Sequence, residues 1–209
     1  MTREGMTGAT FTHLDDATRA LVRLSASLAA GEEEEVRGAL QFAARITPHE
    51  WIEELLLQTY LFAGFPRALN GMREWRRIAP APAAASLLPS VGDPVAAGQR
   101  TCAQVYGSMY DRLRQNIAAL HPRLDDWMIA EGYGKVLGRP ALDLARRELC
   151  IVAACAASGQ DRQLQSHLHG ARNVGVADSA IGATLEALRG VIPVALFDRA
   201  SRLWGRLAA

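Results

Sequence analysis

Residues 14–43 can be laid over residues 142–171 without a gap, and ten of the thirty positions are then identical. "LDDATRALVRLSASLAAGEEEEVRGALQFA" faces "LDLARRELCIVAACAASGQDRQLQSHLHGA". Leu14/Leu142, Asp15/Asp143, Arg19/Arg147, Leu21/Leu149 and Gly31/Gly159 are among the matches. A repeat constrains a fold more than composition does, because each copy must bury the same face. Both copies read as two helices joined at a glycine. Ala, Leu, Arg and Glu recur at helical spacing, and β-branched alternation is nearly absent along the chain. The expectation is an all-α chain of paired antiparallel helices with an internal duplication.

The remaining punctuation divides the chain. A first half spans 1–78, with helices over 15–30 and 32–45, a third from "TPHE" to Gly64, and a fourth from Pro66. Thr47, Pro48 and Glu50 have the spacing of an N-cap, a first-turn proline and a capping-box acid. Residues 79–100, "APAPAAASLLPSVGDPVAAGQR", hold four prolines and read as a connector. The second half, 101–209, begins with one helix over about 100–120, and Pro122 opens a short one. "EGYGKVLGRPALD" (131–143) reads as a glycine-rich loop. Further helices cover 142–157, 161–175 with Asp161 as cap, a stretch capped by Asp178 or Ser179, and one from Pro193. Trp51, Phe62 and Phe65 are expected in the core or between subunits.

Charge and cysteine usage remove several classes of function. The 209 residues carry a net charge of +1, without the basic excess of a nucleic-acid footprint. No apolar run reaches the roughly 20 residues that span a bilayer, and the N-terminus lacks a signal-peptide core. A cytoplasmic protein is expected. Cys102, Cys150 and Cys155 form no C-x-x-C, and in apolar helices they read as small hydrophobes.

Two residues stand out where the copies differ. Glu148 faces Ala20 in the overlay, and His167 faces Ala39. Leu164, Leu168 and Ala171 form the apolar stripe of the 161–175 helix; His167 falls beside it, and His169 on the far side. Glu148 shares a face with Leu144, Ile151 and Val152, where an unpaired carboxylate is costly. Counted from the turn at Ser158–Gly159, Glu148 lies about 16 Å up one helix and His167 about 12 Å up the other, at about 1.5 Å per residue, so the two can meet. A metal site from Glu148, His167 and His169 is disfavoured, because residues i and i+2 diverge on a helix.

The register Glu148, Gln160, Gln163, His167 resembles the Glu…Cys…Cys…His motif of the alkyl hydroperoxidase D superfamily, with both cysteines replaced by glutamine. Without the cysteines it is similar to the γ-carboxymuconolactone decarboxylase branch. "EGYGKVLGRPALDLARREL" and "ITPHEWIEELLLQTYLFAGFPRALN" resemble that branch too, and the matching pieces cover most of 14–75 and 100–190. A thiol peroxidase needs a thiolate and a resolving cysteine, and glutamine can be neither.

The resemblance implies an alkyl hydroperoxidase D-like helical fold and decarboxylation of, or proton transfer on, a small carboxylated lactone. No cofactor and no metal are implied, since the conjugated lactone accepts the electrons that CO₂ leaves behind. His167, held by Glu148, is the expected acid. Gln163 is expected to donate to the lactone oxygen, and Tyr133 with Arg139 or Arg147 to hold a carboxylate. The partner is a small anionic substrate, neither nucleic acid nor membrane, and a homo-oligomer, dimer or trimer, is expected. The competing reading is a ligand-binding or scaffold member without catalysis.

Overall fold

A computed structural model describes residues 11–87 and 92–208. Among these residues the chain is all helical, with no strand and one isolated parallel bridge between Phe11 and Val176. No described helix is long and apolar enough to cross a membrane.

The centre of the molecule is α1 (Asp16–Ala30) packed on α7 (Leu144–Ala157). Each starts at an aspartate whose carboxylate takes a first-turn amide: Asp15 from Thr18, and Asp143 from Arg146. Leu21, Val22, Leu24 and Leu28 of α1 are fully buried, each contributing about 1.5–3 kcal/mol. Thr18 and Arg146, 128 positions apart, touch: the Arg146 Nε donates to the Thr18 hydroxyl at 2.9 Å. The same guanidinium pairs with Asp15 and lies 4.2 Å from the Trp51 ring centre. Two apolar clusters flank this central pair. One gathers Leu21, Leu24, Leu40, Ile52 and Trp75, and the other Val22, Val105, Ile151, Leu168 and Ile181.

Helix α2 (Glu33–Ala43) follows α1, and α8 (Asp161–Asn173) follows α7. The two hairpins keep the offset of the sequence overlay. Helix α3 (His49–Ile78) is broken where the sequence suggests, at Gly64, whose φ of 82° only glycine adopts readily. Then come a 3₁₀ turn (Ala84–Leu87), α4 (Pro94–Tyr106), α5 (Tyr110–Leu120), α6 (Pro122–Trp127) and a π-helical segment (Met128–Leu137). Helices α9 (Asp178–Glu186) and α10 (Val194–Ala208) close the chain.

The structure corrects several local expectations. Thr47 caps nothing: its hydroxyl donates to the Ala17 carbonyl, and Pro48 occupies the cap position of α3. Asp161 lies inside the first turn of α8, paired with Arg199, and Gln160 is the cap residue. Ala177 precedes α9; Asp178 pairs with Arg172, and Ser179 donates to the Thr12 carbonyl. The 79–100 stretch is not all connector, since Asp93 caps α4 and Pro94 opens it. The helix expected over 100–120 is interrupted at Gly107 (φ 51°), and the Asn173 side chain satisfies the Val105 carbonyl there.

The largest difference lies in the glycine-rich stretch, which is π-helical rather than a loop. Helix α4 lies against it so closely that a Cβ on Gly98 would come 2.0 Å from the Ile129 carbonyl oxygen. A Cβ on Gly134 would come 2.0 Å from that of Pro94. The glycines serve helix-to-helix approach, and the wide turn carries Tyr133 into the interior.

Candidate active site

Glu148 comes from the middle of α7 and His167 from α8. The hairpin turn at Gly159 (φ 68°) brings them together. The His167 Nδ1 and the Glu148 Oε2 lie 2.8 Å apart, both side chains buried. Room for the carboxyl group depends on Gly170, one turn after His167: a Cβ there would meet Glu148 Oε2 at 2.6 Å. Glu148 Oε1 is the one buried side-chain polar atom without a hydrogen-bond partner among the described residues. Leaving such an atom unpaired costs about 1–3 kcal/mol. The imidazole Nε2 has no partner among the described residues either, and His167 lines an open space.

That space is a cleft of about 810 Å³. Its volume is in the range of small-molecule sites. Phe62 meets the His167 ring edge-on, with centroids 5.6 Å apart. Tyr106 lies 6.5 Å from the same ring, and Tyr133 lies 6.2 Å from Tyr106. Trp127, Tyr60 and Phe65 form the outer wall. Phe65 is 61% exposed and stacks on Tyr60, so of the three aromatics expected in the core it is the one on the surface. Helix α3 supplies one wall of the cleft, and α4, α6, the π-helical segment and α8 supply the rest.

Burial pushes the Tyr106 phenol up to about 12, and Tyr133 well above its ordinary value. Burial likewise pushes the thiols of Cys102, Cys150 and Cys155 up to about 12, and all three are free. At neutral pH none of them supplies the thiolate that peroxide chemistry requires.

Of the other sequence-derived site residues, Gln163, Arg139 and Arg147 lie outside the cleft. Arg147 is fully buried and bound within the protein: Nη2 to Glu54 at 2.6 Å, Nη1 to Gln58, and Nε to the Leu142 carbonyl. Burial pulls its guanidinium down from the ordinary value, and Glu54 opposes that. Arg139 grips the same Glu54 with two nitrogens, at 2.8 and 2.9 Å. Neither is placed to hold a substrate carboxylate as expected, and neither lines the cleft, because one carboxylate from α3 holds both. Gln163 is exposed and does not line the cleft, whereas Tyr133 does. His169 points to solvent.

Sequence reasoning missed Phe62, Tyr106 and Gly170. Tyr106 had a usable signal, since it follows Cys102 by one helical turn. Gly170 had one too, as a small residue one turn after the inward histidine. Ala20 and Ala39 line a second groove of about 800 Å³, together with Arg19 and Arg23 of α1 and with Gly190 and Val191 from beyond α9. It has a similar size but no acid–base pair, because alanines stand where the overlay places Glu148 and His167.

No curated protein matches the chain. Residues 122–205 match the model of the Carboxymuconolactone decarboxylase family. The matched stretch, 84 of the 209 residues, contains Tyr133, Glu148, His167 and Gly170, and the match is consistent with the family resemblance carried by the sequence motifs.

Proposed function

We propose that the chain is a carboxy-lyase-type acid–base enzyme that decarboxylates, or moves a proton on, a small unsaturated lactone acid. The observation that carries this reading is the buried Glu148–His167 pair with its Nε2 open to an aromatic cleft. An apolar wall destabilises a carboxylate more than the CO₂ and delocalised anion it becomes. As the C–C bond to the carboxylate breaks, its electron pair enters the conjugated lactone and charge collects on the carbonyl oxygen. The ring carbon next to the carbonyl then takes a proton from Nε2, which moves the double bond out of conjugation, and the Glu148–His167 pair, acting as a unit, recovers a proton from solvent through the cleft. The substrate is the electron sink, so the residues need only orient, desolvate and transfer a proton.

Loss of butenolide absorbance over a panel of lactone acids tests the reading. Wild type should turn over at least one member. His167→Ala should lose about 10²-fold or more in kcat, in line with general acid–base contributions. An active His167→Ala enzyme would remove the histidine from the chemistry. Ligand binding without turnover anywhere in the panel would instead establish a binding protein.

A further inference from the structure

We propose that Tyr106, backed by Tyr133, is the hydrogen-bond donor to the oxygen on which charge develops, and that the cleft takes lactones with no ionised group beyond the departing carboxylate. The proposal deepens the acid–base reading above and rests on it. Its first ground is placement. Gln163, the donor suggested by the sequence, is exposed and outside the cleft. Tyr106 and Tyr133 line the same cleft as His167, with the Tyr106 ring 6.5 Å from the imidazole. One small lactone in the cleft can therefore reach both the Tyr106 ring and the imidazole. Burial keeps both phenols protonated at neutral pH, so they remain donors. The Tyr106 and Tyr133 rings meet edge to face, with centroids 6.2 Å apart. A Tyr133 hydroxyl turned to donate to Tyr106 would leave the Tyr106 proton for the substrate, and hydrogen bonds in such a chain reinforce one another.

The second ground is charge. Among the described residues, Glu131 and His167 are the only titratable lining residues other than the tyrosines, and Glu131 is paired with Lys135. No arginine lines the cleft among them, and Arg139 and Arg147 are both held by Glu54. With Lys135 already engaged by Glu131, a second substrate carboxylate would be desolvated with no lining cation, a penalty that disfavours dianions.

4-Nitrophenol, whose anion absorbs at longer wavelength than its neutral form, is the probe for the oxyanion site. Titration should show wild type binding the anion. Tyr106→Phe should bind it about tenfold or more weakly, Tyr133→Phe several-fold more weakly, and Tyr110→Phe, outside the cleft, as wild type does. Matched circular-dichroism melts separate these effects from unfolding. Competition should favour benzoate over terephthalate by about a hundredfold. Unchanged affinity in Tyr106→Phe, no anion binding by wild type, or equal competition by the two acids overturns the proposal. Turnover that survives in Tyr106→Phe sinks this inference alone. Tyr106-dependent binding in a protein without turnover sinks the catalytic reading and leaves the oxyanion site.

Discussion

Replacing Gly170 with alanine inserts one methyl group into the tightest point of the site. The new Cβ would stand 2.6 Å from Glu148 Oε2 and 2.7 Å from Val105 Cγ1, so both neighbours must retreat. Overpacking of this kind costs about 1–3 kcal/mol. A retreating Glu148 also gives up its 2.8 Å bond to His167. Charge-assisted hydrogen bonds contribute about 1.5–3 kcal/mol, against about 1 kcal/mol gained when glycine in a helix becomes alanine. The net expectation for Gly170→Ala is a loss of about 2–4 kcal/mol together with loss of turnover. Gly38→Ala is the control: nothing lies within 4 Å of its added methyl, and it should stabilise by about 1 kcal/mol. Urea denaturation midpoints, at unchanged slope, measure both. Equal stabilisation by the two substitutions would refute the crowding argument and the close seat of Glu148 beneath α8.

Glu54→Gln leaves the guanidinium groups of Arg139 and Arg147 without the carboxylate that now joins them, and should cost about 3–5 kcal/mol by chemical denaturation. Partial recovery is expected when Arg147→Met is added, because the stranded buried charge is then gone. Gly98→Ala would press a methyl against the Ile129 carbonyl oxygen and separate α4 from the π-helical segment, whereas Gly132→Ala meets nothing. Expression and melting should therefore be severely impaired in the first and near wild type in the second. The raised phenols of Tyr106 and Tyr133 favour the folded state fully below the ordinary phenol range. That contribution is lost as pH rises from the ordinary value near 10 towards about 12. In a spectrophotometric titration these two tyrosines should ionise last, together with unfolding, and Tyr106→Phe should flatten the alkaline loss of stability.

Much of this was legible in the sequence because it is written in local spacing. The inward turn of His167, the need of Glu148 for a partner and the break at Gly64 each follow from helical period or backbone preference within one or two turns. The fates of Arg139 and Arg147 were not legible, because their partner Glu54 lies 85 and 93 residues away and only the packing of α3 on α7 brings it there. The π-helical segment was misread as a loop for a related reason. Its glycines resemble turn glycines locally, and what fixes them is the close approach of α4. Among the described residues no arginine lines the cleft, because Glu54 holds both Arg139 and Arg147. Four of the aromatics that shape the cleft come from three segments far apart in the chain: Tyr106, Tyr133, and Tyr60 with Phe62.

Deuterium incorporation tests the central claim most directly. A lactone acid that the protein turns over, converted in deuterated water, should acquire one deuteron at the ring carbon next to the lactone carbonyl, on a single face. His167→Ala should lose that delivery, and Glu148→Gln should weaken it. Wild-type rate and stereochemistry in His167→Ala would show that the imidazole beside Glu148 is not the group that moves the proton.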